Sequence, residues 1–181
     1  MMPNWCDNNL YLTHDDPEMI KKAKDAWESG KFLGTLVPEP DYKTVEVKPT
    51  FPHIRGNENP VDPETAWWDW RVQNWGTKWD IGYDSARDNH AQGGEKDMFV
   101  YFDSAWSPPT QAYAVLADLG FKVKGYYYES GMAFCGAWID GEEEYYDIEQ
   151  CTSAWVQENI PRYIDDQMDI SMQYESDEEC E

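Results

Sequence analysis

Three histidines, four cysteines and 36 carboxylates are the groups through which this 181-residue chain could hold a metal, transfer a proton or attack a substrate. His14-Asp15-Asp16 has the letters of a metal or phosphohydrolase dyad. It stands where a strand pattern gives way to a helix pattern and has no further ligand nearby. Asp15 or Asp16 is therefore expected to cap the helix, accepting the free N–H groups of its first turn. His53 and His90 lie in loops rich in Pro, Gly and Asn, so only the fold could bring them into one site beside the tryptophans. Cys6, Cys135, Cys151 and Cys180 are far apart and form no C-x-x-C pair. Without ligand spacing they are expected to be reduced thiols, with Cys135 in an apolar strand. Gly93-Gly94-Glu95-Lys96 places a lysine after glycines but does not complete a phosphate-binding loop, and no helix pattern follows it. No G-x-S-x-G or H-E-x-x-H occurs, and Asp165-Asp166-Gln167-Met168-Asp169 lacks the glycine and closing glutamate of a calcium loop. The expectation is a protein without catalytic residues, metal or cofactor.

The carboxylates carry more information as a population. With 36 acids and 14 bases the net charge is −22, whereas a small domain usually carries about 2–8 charges of either sign. Such a surface repels nucleic acid and anionic lipid. From Ile139 to Glu181 there are fifteen acids and a single base, Arg162. These acids fall on a predicted strand, Glu142-Glu143-Glu144 through Asp147 and Glu149, and on a predicted helix bearing Glu158, Asp165, Asp166 and Asp169. Duplex DNA carries one charge per ~1.7 Å, so fourteen net charges match ~24 Å of duplex. A helix of ~19 residues is ~28 Å long. The expectation is a stiff acidic strip that occupies the DNA groove of a basic partner through those nine residues. The bland alternative is acidity that serves solubility alone.

Five tryptophans between Trp67 and Trp79 could form a stacking platform for bases or sugars. With Asp69 and Asp80 beside them they are better suited to pinning a loop to the core. Aromatics make up 15% of the chain, enough large side chains to build a core despite the charge.

The positioning elements follow from periodicity. Trp5 to Thr13 alternates around Leu10 and Leu12 as a strand. A helix opens at Asp15-Asp16-Pro17-Glu18, carries Met19, Ile20, Ala23, Ala26 and Trp27, and stops at Ser29-Gly30. A Pro-rich insertion covers about residues 34–72, with a short helix through Trp67, Trp68 and Trp70. Trp79 to Tyr83 predicts a strand partnering Met98 to Phe102, with a loop from Ser85 to Lys96 between them. Ser107-Pro108-Pro109-Thr110 predicts a cap and helix start, Gly120 its end, and Phe121 to Glu129 the next strand. Met132 to Ile139, Asp140-Gly141 and Glu142 to Ile148 have the signature of a hairpin with a type I′ turn. A closing helix spans Ala154 to Met172, either capped by Asn159 or kinked at Pro161. This order predicts an α+β fold, a ferredoxin-like split βαβ with an antiparallel sheet, helices on one face, a C-terminal hairpin and an acidic helix. Residues 1–172 are expected to form one domain and 173–181 an acidic tail. No apolar run nears the ~20 residues that span a bilayer, and the N-terminus lacks a basic, then apolar, leader, which predicts a cytosolic protein.

Four stretches resemble a family of phage- and plasmid-encoded proteins similar to YubB, whose domain is described as ferredoxin-like. They are Pro3-Asn4-Trp5-Cys6 with Asn8, Asn74-Trp75-Gly76-Thr77-Lys78-Trp79-Asp80, Trp106-Ser107-Pro108-Pro109, and Tyr128-Glu129-Ser130-Gly131-Met132-Ala133-Phe134-Cys135-Gly136. Asn159-Ile160-Pro161 before an amphipathic helix adds to the likeness, which covers residues 3 to about 172. The resemblance implies a mobile-element protein acting in the host bacterial cytoplasm and carries no catalytic residues with it. Joined to the acidic surface, it gives the expectation of a non-enzymatic DNA mimic that inhibits a host restriction or CRISPR-type protein and binds neither nucleic acid nor membrane directly. A site near His53, His90 and Trp67–Trp79, in an enzyme or small-ligand protein, is the alternative.

Overall fold

The computed structural model describes residues 4–56 and 58–178. Strand β1, Trp5–Thr13, alternates its side chains across the sheet: Cys6, Asn8, Leu10 and Leu12 are buried on one face, while Trp5, Asp7 and Thr13 are exposed on the other. Helix α1, Pro17–Glu28, begins where Asp16 accepts the Glu18 N–H at 3.0 Å, and buries Ile20, Ala23, Ala26 and Trp27. The Pro-rich stretch contributes three short helices, α2 (Phe32–Leu36), α3 (Pro52–Arg55) and α4 (Ala66–Asn74). Then come β2 (Asp97–Ala105), α5 (Thr110–Asp118), β3 (Lys122–Glu129), β4 (Phe134–Ile139), β5 (Glu142–Asp147), α6 (Ser153–Asn159), α7 (Arg162–Met168) and α8 (Ile170–Glu178).

The fold is α+β, with one open antiparallel sheet in the order β2-β1-β3-β4-β5. The expectation of helices on one face fails. Leu10, Leu12, Val123 and Trp138 pack with α1, α2 and α5. Tyr128, Cys135 and Ala137, of the opposite parity, pack with α6, α7 and α8. Strand β4 is consequently buried on both faces from Phe134 to Trp138, the condition under which a strand loses its apolar–polar alternation.

Other expectations are corrected as well. Trp79–Tyr83 forms no strand. The β2 edge is instead covered by the loop around it: Thr77 Oγ1 donates to the Ala105 carbonyl at 3.1 Å, Asn89 Nδ2 to that of Tyr101 at 2.9 Å, and Gln92 and Phe99 exchange backbone hydrogen bonds. The continuous closing helix is three helices. Ile160 is extended before Pro161, as a residue preceding proline prefers, and Asp169 adopts a left-handed conformation at φ 52°. The ~28 Å rod does not exist, and α8 runs on through residues 173–178 of the expected tail. Glu179, Cys180 and Glu181 lie outside the described residues. Ser107 does not cap α5, whose N-cap is Pro109; its hydroxyl donates to the Gly76 carbonyl.

The insertion is fastened by polar contacts to buried aromatics. Trp75 is fully buried and its Nε1 donates to the Val37 carbonyl at 2.8 Å. Arg71 lies against the Trp67 and Trp75 rings and pairs with Glu39 at 2.6 Å. Asp80 accepts from the Leu33 and Gly34 N–H groups, holding α2 to the loop after α4. Among the described residues, no helix is long and apolar enough to cross a membrane.

Candidate functional site

The acidic residues of the C-terminal region are positioned chiefly by β5. Its register with β4 places Glu142 opposite Ile139, Glu143 opposite Trp138, Glu144 opposite Ala137 and Asp147 opposite Phe134. Since facing residues share a side of the sheet, Glu142 and Glu144 project toward α7, and Glu143 and Asp147 toward α5. The expected strip on one face is therefore corrected to a ridge along an edge strand, with carboxylates on both flanks. The four carboxylates spread over ~17 Å of strand, a mean interval of ~6 Å, which is wider than the 3.4 Å spacing along a single DNA strand.

Tyrosines, not bases, orient this ridge. Tyr127 OH donates to Glu143 at 3.0 Å and Tyr145 OH to Asp147 at 2.9 Å. Glu144 accepts from Tyr146 at 2.7 Å and also from Tyr163; those two hydroxyls hold its carboxyl below the usual range. Burial, followed by the hydrogen bond to Asp147, pushes the Tyr145 phenol up to about 12. No periodic signal in the sequence marks the tyrosine partners; the available sign is that Tyr145-Tyr146 directly follows the glutamates.

The remaining candidates divide. Glu149 and Glu158 are exposed, and so is Asp169, which ends α7. Asp166 lies 3.5 Å from Arg162, both in water. Asp165 is buried and accepts from the Ser171 N–H and hydroxyl, each at 2.7 Å, so it caps the first turn of α8 and is withdrawn from any partner. Among the described residues no lysine, arginine or histidine pairs with Glu142, Glu143, Glu144, Asp147, Glu149, Glu158 or Asp169.

The described residues of the four stretches quoted for the family resemblance meet at one end of the sheet, Pro3 lying outside them. The Trp106 N–H donates to the Asn4 carbonyl at 3.0 Å, Asn8 Nδ2 to Ser104 Oγ at 2.9 Å, and Ser104 Oγ to the Ser107 carbonyl at 2.7 Å. Glu129, buried, accepts from the Gly131 and Met132 N–H groups. Trp106 has φ 73°, a strained value for a bulky residue. Beside this junction a cleft of about 400 Å³ opens between Trp5, Trp79, Tyr83, Arg87 and Asp103. Asp103 pairs with Arg87 and faces Asp7 across the strands. Burial, then the hydrogen bond to Asp103 and its charge, raise the Asp7 carboxyl to about 6. Burial also pushes the nearby Cys6 thiol well above its ordinary range, which keeps it protonated and poorly nucleophilic.

The histidines are not brought together. His90 lies 2.8 Å from Glu28 and stacks on Tyr83, tying its loop to α1. His53 is exposed beside Phe51 in the insertion. Trp67, Trp68 and Trp70 are half-buried and Trp79 packs on Trp5, so the tryptophans form no continuous exposed platform. Among the described residues no three His, Cys, Asp or Glu side chains are grouped to hold a metal. No family model matches the chain, and neither a curated protein nor a solved structure matches it.

Proposed function

We propose that this is a non-enzymatic binding protein that inhibits a basic, nucleic-acid-acting host defence protein by presenting the β5 edge and neighbouring acids in place of a phosphate track. The supporting observation is the set of seven carboxylates, four of them on β5 and Glu149 two residues past its end, whose charge is left free of basic partners among the described residues while tyrosines orient three of the β5 acids. A basic groove meeting this ridge would release its counterions as it does on DNA. The resemblance to YubB-like proteins supports a phage or plasmid origin and action in the host cytoplasm. We further read β2-β1-β3 with α1 and α5 as a ferredoxin-like split βαβ, in which the 77–92 loop takes the place of the fourth strand and β4-β5 is a C-terminal hairpin. A partner recovered from bacterial lysate should be displaced by duplex DNA, and its affinity should fall steeply with salt. Charge reversal at Glu142, Glu143 and Glu144 that left both affinity and salt slope unchanged would refute the reading.

Alternation of the acids across both flanks of β5 favours a second reading, in which they only guard a sheet edge against self-association. On that reading the same reversal would produce dimers or aggregates and alter no partner affinity.

A further inference from the structure

The two edges of the sheet are treated differently. The β2 edge is closed by Thr77, Asn89 and Gln92. At the β5 edge, among the described residues, no backbone group outside β4 hydrogen-bonds to the main chain. Alternate N–H and C=O groups of an antiparallel edge strand point outward, and these form a template for another strand. We infer that the free edge of β5 accepts, as a sixth strand, an extended lysine- and arginine-rich segment of the partner. This inference rests on the acidic-surface reading above and adds backbone pairing to it.

Charge selects this occupant. A second copy paired antiparallel through β5 would gather eight acids, Glu142, Glu143, Glu144 and Asp147 from each copy, on one two-strand ladder that contains no base, and like charges brought together across a strand pair destabilise it. A basic strand instead meets Glu142 and Glu144 on one flank and Glu143 and Asp147 on the other. The α5 flank adds a groove of about 290 Å³ lined by Val72, Pro108, Phe134, Tyr145 and Glu143. Tyr145 is 54% exposed and stacked on Phe134. Such a groove takes the aliphatic stem of a lysine or arginine on the ring and its charged head at the carboxylate.

The test uses the full chain and a fluorescent peptide of alternating lysine and threonine, beside the same peptide N-methylated at every second residue. N-methylation keeps the charge and removes one edge of hydrogen-bond donors. The parent peptide should bind at low salt and protect β5 amides from hydrogen exchange, and the methylated peptide should bind at least about tenfold more weakly, the loss expected for two or three hydrogen bonds. Equal binding of the two peptides, both released by salt, would overturn strand addition and leave the acidic-surface reading standing. Parent binding unaffected by Glu142→Gln, Glu143→Gln and Glu144→Gln together would overturn the electrostatic reading instead. No binding of the parent at low salt would overturn the inference.

Discussion

Replacing Asp7 by asparagine should stabilise the protein above neutral pH and do nothing in acid. Asp7 and Asp103 face each other in the β1–β2 register, and Arg87 is engaged by Asp103. Burial and then the Asp103 carboxylate raise Asp7 from 3.8 to about 6. Between those values the folded chain binds a proton that the unfolded chain has lost, so stability falls as pH rises through this window. At about 1.4 kcal/mol per pH unit the undiscounted loss is about 3 kcal/mol. Asp7 is crowded by its neighbours yet still reaches water on the open face of β1, and solvent screening reduces this to about 1 kcal/mol. Asparagine keeps the shape and a donor toward Asp103 while removing the charge. Urea unfolding followed by tryptophan fluorescence should show Asp7→Asn about 1 kcal/mol more stable than the parent near pH 7.5, with the gap closing near pH 4. A variant less stable at pH 7.5, or a gap that does not shrink on acidification, would refute the account. Asp103→Asn is the contrasting control, since it strips Arg87 of its closest partner and should destabilise at neutral pH.

Asp165→Ala should cost about 3 kcal/mol in urea unfolding, because it orphans the N–H and hydroxyl of the buried Ser171. Gly136→Ala should cost about 2 kcal/mol or more: a Cβ there meets the Tyr127 hydroxyl and the Glu144 carbonyl, overpacking the centre of β4. Raising sodium chloride from about 0.02 to 0.5 M should increase the unfolding midpoint, since a net charge of −22 repels itself and salt screens it.

Local pattern identified the elements whose own residues carry a periodic, capping or turn signal. Period-two alternation found β1, the Asp16 and Pro17 signals found the start of α1, and Asp140-Gly141, with φ 48° and 103°, turns β4 into β5. What failed depends on distant contacts. Tyr126-Tyr127-Tyr128 has no apolar–polar alternation that would reveal helices on both faces; that arrangement emerges only when Tyr128 meets α6, α7 and α8. Trp79–Tyr83 has strand-like composition, but Asp80 is drawn to the Leu33 and Gly34 N–H groups and takes the chain away from a ladder. The acids were visible as residues and not as faces, because a one-residue step exchanges the two flanks of a strand. The Asp7–Asp103 pair lies across a register that no local pattern specifies.

How the carboxylates are held bears on what they are for. In the N-terminal two-thirds, cations are used to fasten structure: Arg71 with Glu39 joins α4 to the segment after α2, Arg87 with Asp103 ties a loop to β2, and His90 with Glu28 ties the same loop to α1. On β5 the corresponding work falls to the hydroxyls of Tyr127, Tyr145, Tyr146 and Tyr163. A hydroxyl fixes the direction of a carboxylate as a cation would, and leaves its full negative charge facing outward. Solubility requires charge alone, without fixed direction, and freely rotating glutamates supply it at no entropy cost. Ordered carboxylates with no internal counter-charge are favoured where an external cation must find them already in place, since a partner then forgoes the ordering penalty on binding. The tyrosines beside Glu143, Glu144 and Asp147 therefore support a binding role for the ridge more strongly than the net charge does, and Tyr163→Phe with Tyr146→Phe should weaken partner binding while leaving that charge unchanged.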